Sequence, residues 1–554
     1  MLKRLYILLA FVITTQINNT TAQTTSWQWA RGAGYTGSDQ ALATAIDASG
    51  NVYTIGWYTS ANITFGSITL SNPGVATSDV FVTKHDAAGN AVWAKTFGGT
   101  DGEIGNSIAV DASGNVYITG WFTSTTVAMG TSTLTNSSAG SSDIFLAKLS
   151  SAGNVLWAKN IGGTSADRCN GITLDASGNI YATGCFMSAT VNFGANTLTN
   201  NGTGTNDFFI SKFDANGTNL WAKSAGGNNS DIGNGITVDS LGNAYATGMF
   251  TSASINFGTS AISNSGTGTQ ELFLVKYDGT GNAVWTVKGN GSTEDYGNAV
   301  EVSKNAVYVT GGFNSPSLVI GTTTLSNPGA STHDVFLAKY DLNGNFAWAN
   351  RSGDVDSEVG NAIDSDNLGR IFISGYFTSS SISFGGSNLN NVMAGYRDLF
   401  IAAYDANGSS VWATSVGDAF DESANSISVN SSGSEIYVSG VYNSTSLSFG
   451  THSVYKGCGD DVFLAKLSGL TIGINEKQLS REIVMYPNPA KEKIYVKSIG
   501  IGEVELVNAT GKTMLKQQVE EGINQINVGT LDNGLYILIQ HVNDLTYQTK
   551  VMIY

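Results

Sequence analysis

The sequence predicts an all-β protein: a seven-bladed β-propeller with four antiparallel strands per blade, closed by the N-terminal strand and followed by a small C-terminal β-sandwich. The first observation is a tryptophan that recurs at spacings of 64, 64, 64, 64, 63 and 64 residues: Trp29, Trp93, Trp157, Trp221, Trp285, Trp348 and Trp412. A fixed period of this size is typical of stacked supersecondary units. The second is four short strand patterns in every unit, and the third is one strand missing from the last unit.

The four strands, here called A to D, are clear in the second unit. They read NSIAV, VYITGWF, IFLAK and VLWAK, where apolar and polar residues alternate. The turn DASGN joins A to B and SSAGN joins C to D, with a glycine suited to the left-handed conformation of a hairpin turn. Four antiparallel strands repeated in this way predict a propeller.

The count of strands predicts how the ring closes. Strand C recurs seven times, beginning at Phe81, Phe145, Phe209, Phe273, Phe336, Phe400 and Phe463. No eighth tryptophan strand follows Phe463, whereas a tryptophan strand without a partner surrounds Trp29. We therefore predict that the N-terminal strand completes the last blade and removes an exposed sheet edge.

Composition and the N-terminus indicate an exported, soluble protein. The net charge of −16 argues against binding to nucleic acid, which requires Lys and Arg to neutralise phosphates. Lys3 and Arg4 precede an apolar run from Leu5 to Ile13, which predicts a signal peptide over residues 1–22. No stretch approaches the ~20 apolar residues of a membrane-spanning segment. We expect a monomer that is secreted or held at the cell surface.

The repeat text DASGNVYITG and DIFLAK resembles the bacterial seven-bladed propeller repeat family (SBBP). The resemblance covers roughly residues 26–468, and we place the propeller domain at 23–468. It implies the fold, but it does not imply one activity.

The periodicity ends near Ser468, so residues 469–482 are interpreted as a linker and 483–554 as a separate domain. This domain resembles the type A C-terminal sorting domain of the type IX secretion system. The matching residues are Pro487, Asn488, Pro489, Gly534, Leu535, Tyr536 and Lys550. The resemblance implies passage through the periplasm and across the outer membrane, with the type IX machinery as a partner.

The three cysteines are Cys169, Cys185 and Cys458. An exported protein permits disulfides. If residue pairs are counted outward from the A–B turn of the third unit, Cys169 lies opposite Cys185. We therefore predict a cross-strand disulfide between them, and two adjacent free thiols are the alternative. Cys458 is expected to be free and buried.

An acidic residue precedes strand A in every unit. The set is Asp39, Glu103, Asp167, Asp231, Asp295, Glu358 and Glu422. The topology predicts that these carboxylates ring the mouth of the central channel. Either each accepts hydrogen bonds from loop amides, or together they form a ligand or Ca²⁺ site, because oxygen ligands suit that ion. No other cofactor is predicted.

No catalytic motif is present. The four histidines lack metal-ligand spacing, and there is no G-x-S-x-G nucleophile elbow. The preferred interpretation is a non-enzymatic binding or scaffold propeller that recognises an extracellular glycan or protein through its loop-rich face, formed by the D–A and B–C connections. The alternatives are a carbohydrate-active lyase or hydrolase using carboxylates at the channel mouth, and a purely structural surface or matrix protein.

Overall fold

The computed structural model describes residues 25–468 except 73, 75, 76, 259, 267 and 330, and residues 485–554 except 499, 509–511, 543 and 544. The predicted signal peptide and linker lie outside the described residues. All regular secondary structure in the described residues is β-strand. The chain divides into two compact units, a propeller from Thr24 to Leu470 and a C-terminal unit, which are described separately.

The propeller contains 42 strands. The first half runs β1 (Ser26–Ala33), β2 (Asp39–Ile46), β3 (Val52–Tyr58), β4 (Asn62–Phe65), β5 (Ile68–Ser71), β6 (Asp79–His85), β7 (Ala91–Phe97), β8 (Glu103–Val110), β9 (Val116–Phe122), β10 (Thr126–Met129), β11 (Ser132–Thr135), β12 (Asp143–Leu149), β13 (Val155–Ile161), β14 (Asp167–Leu174), β15 (Ile180–Phe186), β16 (Thr190–Asn192), β17 (Thr197–Thr199), β18 (Asp207–Phe213), β19 (Asn219–Ala225), β20 (Asp231–Val238) and β21 (Ala244–Phe250). The second half runs β22 (Ser254–Asn256), β23 (Ala261–Ser263), β24 (Glu271–Tyr277), β25 (Ala283–Lys288), β26 (Asp295–Ser303), β27 (Ala306–Phe313), β28 (Ser317–Ile320), β29 (Thr323–Ser326), β30 (Asp334–Asp341), β31 (Phe346–Ser352), β32 (Glu358–Ser365), β33 (Ile371–Phe377), β34 (Ser381–Phe384), β35 (Ser387–Asn390), β36 (Asp398–Tyr404), β37 (Ser410–Val416), β38 (Glu422–Val429), β39 (Glu435–Tyr442), β40 (Ser446–Phe449), β41 (His452–Tyr455) and β42 (Asp461–Ser468).

These strands form seven four-stranded antiparallel sheets, which confirms the predicted blade count. In order A to D the blades are β2-β3-β6-β7, β8-β9-β12-β13, β14-β15-β18-β19, β20-β21-β24-β25, β26-β27-β30-β31, β32-β33-β36-β37 and β38-β39-β42-β1. The last blade takes its outer strand from the N-terminus, with Ser26 opposite Ser468 and Ala33 opposite Val462. The predicted closure is therefore confirmed.

Each B–C connection carries a two-stranded hairpin, where the sequence predicted only a loop. In blade 1 the hairpin β4-β5 buries Ile63, Phe65 and Leu70, and β4 also contacts β1 of blade 7. The hairpins therefore contribute to the core at the outer rim between blades. Only two or three apolar residues of each hairpin are buried, and they are scattered among Ser, Thr and Asn, so the pattern is weak in the sequence.

Strand A contains a β-bulge near its start in every blade. In blade 3 the register shifts between Cys169 and Gly171, and the extra residue, Asn170, donates from Nδ2 to the carbonyl of Gly233 in the next blade at 2.8 Å. The same bond recurs at Asn106, Asn234, Asn298, Asn361 and Asn425, with acceptors Cys169, Gly297, Gly360, Ala424 and Ala41. Blade 1 has Leu42 at this position and lacks the bridge.

The bulge makes the disulfide prediction wrong. It shifts the pairing by one residue, so that Cys169 lies opposite Gly184 and Cys185 lies opposite Arg168. Both cysteines are free and buried, and burial raises the pKa of each thiol to about 12. Cys458 is free as predicted, but it is exposed rather than buried.

At five of the seven junctions the tryptophan of strand D hydrogen-bonds the next blade, whereas Nε1 of Trp157 and of Trp412 has no partner in the described part of the chain. Trp93 donates from Nε1 to the carbonyl of Ser151 at 3.0 Å, and Trp29 donates to Ala87 at 3.1 Å. Six blade junctions each hold one continuous apolar core. At the junction of blades 7 and 1 the apolar residues instead form two separate clusters.

The C-terminal unit is the predicted β-sandwich. Its strands are β43 (Met485–Tyr486), β44 (Lys493–Ser498), β45 (Gly502–Asn508), β46 (Thr513–Val519), β47 (Gly522–Asn527), β48 (Gly534–Val542) and β49 (Leu545–Ile553). They form a three-stranded sheet, β43-β44-β47, and a four-stranded sheet, β46-β45-β48-β49. Ile494, Val496, Leu506 and Leu538 belong to one buried core supplied by both sheets.

Candidate functional site

The seven predicted acids each begin strand A of a blade, and all are buried. In blade 1, Asp39 Oδ2 accepts from the Ser60 hydroxyl at 2.6 Å, while Oδ1 accepts from the amides of Thr59 and Ser60 at 3.1 and 3.2 Å. Asp167 and Asp231 repeat this with Ser188 and Ser252. The carboxylates therefore brace the B–C connections of their own blades.

Both aspartates and glutamates of this set also brace the D–A loop before their strand: Asp167 and Asp231 accept from the amides of Gly163 and Gly227. Glu103 accepts from the Ser124 amide at 3.2 Å and, through its other oxygen, from the amide of Gly99 in the preceding D–A loop at 2.9 Å. Within the described residues, no three or more His, Cys, Asp or Glu side chains lie close enough to hold a metal ion. The geometry thus favours the hydrogen-bonding interpretation of these acids over a Ca²⁺ site.

A second set of buried acids was missed by the sequence analysis. It begins strand C of each blade: Asp79, Asp143, Asp207, Glu271, Asp334, Asp398 and Asp461. Each of these acids lies two residues before the strand-C phenylalanine, so the set repeats in the sequence with the same period of about 64 residues. The sequence-based prediction included only the strand-A acids.

Each strand-C acid lies near the strand-A acid of the following blade. Burial, reinforced by the nearby Glu103 carboxylate, raises the pKa of Asp79 to about 7. Burial likewise raises the pKa of Asp207 to about 6, with Asp231 as the neighbouring charge. The blade junctions therefore hold pairs of carboxyl groups that share a poorly solvated space, which raises the pKa of members such as Asp79 and Asp207.

The pairs differ in how the charge is compensated. Glu271 meets Lys288 at 3.0 Å, and Asp334 pairs with Arg351. Neither carboxylate oxygen of Asp79 has a hydrogen-bond partner in the described part of the chain.

Two further acids break the repeat inside strand A. Glu301 and Asp364 occupy positions where the other blades carry Ala, Thr or Ser. Glu301 accepts from the hydroxyls of Ser365 at 2.9 Å and Thr237 at 3.3 Å, while Asp364 accepts from the Val429 amide at 2.6 Å. Burial and the proximity of Asp364 raise the pKa of Glu301. These contacts link neighbouring blades, and they leave both carboxylates hydrogen-bonded.

The loop-rich face carries an exposed apolar surface in which two loops of blade 6 meet, and we call it the blade-6 patch. It consists of Val392, Met393 and Tyr396 in the B–C connection of blade 6 and Phe420 in the following D–A loop. Their side chains are 64%, 48%, 37% and 43% exposed. The rings of Tyr396 and Phe420 lie 5.7 Å apart in an edge-to-face arrangement, so the two loops form one surface.

A cation borders the blade-6 patch. The guanidinium of Arg397 lies 4.3 Å from the ring centroid of Tyr376, and the Arg397 amide donates to Asp421 at 2.9 Å. The patch therefore combines exposed aromatic rings with an arginine held over a third ring.

The matching loops of blades 2 and 3, which the structure describes in full, hold no comparable group of apolar side chains. An asparagine fixes the same loop in blades 1 to 6; in blade 6 it is Asn391, which donates to the carbonyls of Phe377 and Tyr396. Its counterpart in blade 3 is Asn200, which donates to Phe186 and Thr205. The residues that follow are Val-Met-Ala-Gly-Tyr in blade 6 but Asn-Gly-Thr-Gly-Thr in blade 3.

In the C-terminal unit the predicted sorting residues converge on β49. Asn488 donates to the carbonyl of Lys550 and accepts from the amide of Met552, both at 2.9 Å, and it lies between Pro487 and Pro489. Gly534, Leu535 and Tyr536 begin β48, which pairs with β49 along its whole length. Tyr536 is buried, whereas Leu535 and Lys550 are exposed.

Comparison with protein families identifies both parts of the chain. The model for a secretion system C-terminal sorting domain matches residues 484–554. The model for a β-propeller repeat (SBBP) matches residues 92–121, 156–184 and 220–249.

Individual relatives are distant. An uncharacterized WD repeat-containing protein of Acanthamoeba polyphaga mimivirus is 25% identical over 524 residues, which is 76% of this chain and 36% of that relative. The chain therefore spans about a third of that protein's length.

Solved structures with a related outline include Sqt1 from Chaetomium thermophilum, at 9% identity and a TM-score of 0.37, with 76% of this chain and 83% of that chain covered. Another is PorZ, a surface component of the type IX secretion system of Porphyromonas gingivalis, at 10% identity and a TM-score of 0.23, with 93% and 81% covered. These likenesses are too remote to carry an argument.

The sorting domain places the protein at the cell surface or outside the cell, and it implies interaction with the secretion machinery. None of the described residues form a helix long and apolar enough to cross a membrane. The chain is a β-propeller with three segments that match the SBBP repeat, and its C-terminal unit matches a sorting domain that marks proteins for export by the type IX secretion system.

Proposed function

We propose that the protein is a non-catalytic binding propeller that holds an extracellular partner on its loop-rich face, with the blade-6 patch as the main contact. The single observation that carries this proposal is the patch itself. Four apolar side chains are exposed in two adjacent loops of one blade junction, where the other blades place mainly small or polar residues.

The composition of the patch favours a protein partner over a glycan. Aromatic residues, Met and Arg are enriched where proteins bind one another, and such residues supply most of the binding energy. Tyr396 and Phe420 offer rings that could also stack on sugars. Val392 and Met393 lack such rings and contribute apolar area instead.

The buried acids give little support to the alternative of a carbohydrate-active enzyme. A pair of catalytic carboxylates needs different environments and access to substrate. The strand-A acids repeat in every blade, are buried, and accept hydrogen bonds from their own loops. Glu301 and Asp364 do break the symmetry, but both are already hydrogen-bonded between strands.

The experiment is a binding screen of the purified protein against extracellular glycans and surface proteins, with the variant Tyr396→Thr/Phe420→Asn beside the wild type. The replacements are residues that occur at the matching loop positions of blade 3. We expect a protein ligand whose affinity falls at least tenfold in the variant. A ligand bound equally by both proteins would contradict the role of the patch, and turnover of a polysaccharide would contradict the non-catalytic assignment.

A further inference from the structure

The junction between blades 7 and 1 contains a cavity of about 220 Å³. Its walls come from β3 and β6 of blade 1 and from β1 and β42 of blade 7, and the turn of the β4-β5 hairpin borders it. Gly66, Ser67 and Asn90 line the cavity and are exposed, so it opens to the outside beside two turns of blade 1. We call it the closure cavity.

Three buried polar groups line the closure cavity without a hydrogen-bond partner among the described residues: Thr54 Oγ1, Thr83 Oγ1 and His85 Nδ1. Thr54 and Thr83 are direct cross-strand partners, and His85 lies two residues further along β6 on the same face. Burying polar groups without partners is unfavourable. Three such groups converging on one cavity indicate a site whose partner comes from outside the chain.

The same positions are mostly apolar in the other blades. Blade 2 has Ile118, Ala147 and Leu149 in place of the three polar residues, and they are part of one continuous core with blade 1. The other polar residues at these positions are Ser211 in blade 3, at the Thr83 position, and Tyr277, Tyr340 and Tyr404 in blades 4, 5 and 6, at the His85 position. Blade 1 alone is polar at all three positions, which meet in space.

The chemistry of the cavity favours an uncharged ligand. No Asp or Glu lines it, so it offers no partner for a cation. Its one cationic group, Arg31, already donates to the carbonyls of Gly89, Ala30 and Ala88 at 2.8, 3.0 and 3.1 Å. His85 is neutral, because burial and the nearby guanidinium lower its pKa to about 4.

Two hydroxyls and a neutral imidazole each both donate and accept hydrogen bonds, as the hydroxyls of a sugar or polyol do. Phe65, Val462 and Leu464 add an apolar wall. We propose that the closure cavity binds a small neutral polyhydroxylated molecule, such as a free monosaccharide or the terminal sugar of a glycan, through Thr54, Thr83 and His85. This site is separate from the blade-6 patch and does not depend on it.

The test uses the purified protein with D-glucose, D-galactose, D-mannose, D-xylose and glycerol, each added alone, and binding is measured by saturation-transfer NMR and by thermal shift. The variants are Thr54→Val, Thr83→Val and His85→Leu, singly and combined. Val or Leu stands at the equivalent positions of other blades, including Val438, Val275 and Leu149. These variants should therefore fold, which circular dichroism verifies.

We expect at least one of these neutral compounds to bind, and each single variant to weaken its binding at least tenfold. Ser211→Ala is the matched control, because it removes an unpartnered hydroxyl from a junction with a continuous core, and it should leave binding unchanged. The proposal is overturned if none of the five compounds binds, or if the triple variant binds as well as the wild type. Acetate or sulfate binding that depends on Thr83, without sugar binding, would overturn the assignment to a neutral ligand.

Discussion

The junction between blades 7 and 1 and the junction between blades 1 and 2 use the same strand positions but fill them differently. At the second, Ile118, Ala147 and Leu149 complete one continuous core. At the first, Thr54 and Thr83 divide the apolar residues into two clusters around a cavity. The comparison indicates that residues shared by all blades form the fold, whereas departures from the repeat mark places available for recognition.

The largest expected effect comes from removing β1, the strand that completes blade 7 at its junction with blade 1. Deletion of residues 23–34 removes β1 and Trp29, and it leaves β42 as an exposed sheet edge. We expect a large fall in melting temperature and association into oligomers, because an unpaired edge strand readily pairs with another chain. Melting and light scattering after gel filtration measure both.

The matched deletion removes residues 485–554, which form a separate compact unit. This truncation should leave the propeller monomeric with unchanged melting, while stranding it in the periplasm of the producing cell. If the N-terminal deletion behaves in the same way in vitro, ring closure by β1 is not what stabilises the propeller.

The second effect concerns the paired acids at the junctions. Their pKa values are raised in the fold to about 6 for Asp207 and about 7 for Asp79 and Glu358. A raised carboxyl pKa means that the folded state binds more protons than the unfolded state, so this contribution to stability is fully present below the ordinary carboxyl pKa of about 4 and is lost as pH rises from there through 6 to 7. Urea unfolding across this range should show that fall.

The variant Asp79→Asn should remove part of this fall in stability with rising pH. A tenfold change in a protonation equilibrium corresponds to about 1.4 kcal/mol, so we expect a gain of about 2 kcal/mol or more at pH 8, a smaller gain at pH 5 and almost none at pH 3. Asp334→Asn is the contrast, because burial raises the pKa of Asp334 only to about 6 while Arg351 bonds its carboxylate, and we expect a smaller gain at pH 8. Equal responses of the two variants would show that charge compensation does not distinguish these junctions.

A smaller effect is expected from the asparagine bridges. Asn234 donates to Gly297 of the next blade at 2.9 Å, whereas Leu42 leaves the junction of blades 1 and 2 without such a bond. Asn234→Leu should lower the free energy of unfolding by about 1 kcal/mol, the usual net value of one hydrogen bond. Leu42→Asn should raise it by a similar amount or less. A Leu42→Asn variant that is less stable than the wild type would show that Leu42 is there for packing.

The smallest effect is expected at the cysteines. Because the bulge at Asn170 separates the facing positions of Cys169 and Cys185, a reducing agent should not change the melting temperature. Peptide mapping without reduction should find no linked pair, and Cys458, which is exposed, should be alkylated in the native protein. A Cys169–Cys185 peptide pair would contradict the structure.

Most of the fold could be predicted from the sequence, because period, strand alternation and turn glycines all repeat. What could not be predicted depends on local irregularity. The bulge at Asn170 was invisible because alternation on either side of it looks regular, and counting outward from the turn then placed Cys169 opposite the wrong residue. The hairpin β4-β5 was missed because its strands are only four residues long.

The candidate sites were harder to predict for a related reason. The strand-A acids could be found because they repeat in every blade. In this protein, however, the repeated residues have structural roles. Thr54, Thr83 and His85 are single departures at scattered sequence positions, and only the sheet register and the closure of the ring bring them together. The exposed Val392, Met393 and Tyr396 could have been found by aligning the seven units and looking for differences.

The central claim is that departures from the repeat, and not the repeated residues, carry recognition. The most direct measurement is the ligand affinity of a loop-exchange variant, in which residues 392–396 of blade 6 are replaced by residues 201–205 of blade 3. The two segments have equal length and lie between matching asparagine and strand-C acid positions. The account predicts that the exchanged protein melts like the wild type but loses at least tenfold in affinity for the extracellular ligand found with the wild type. Unchanged affinity in a correctly folded exchange protein would contradict it.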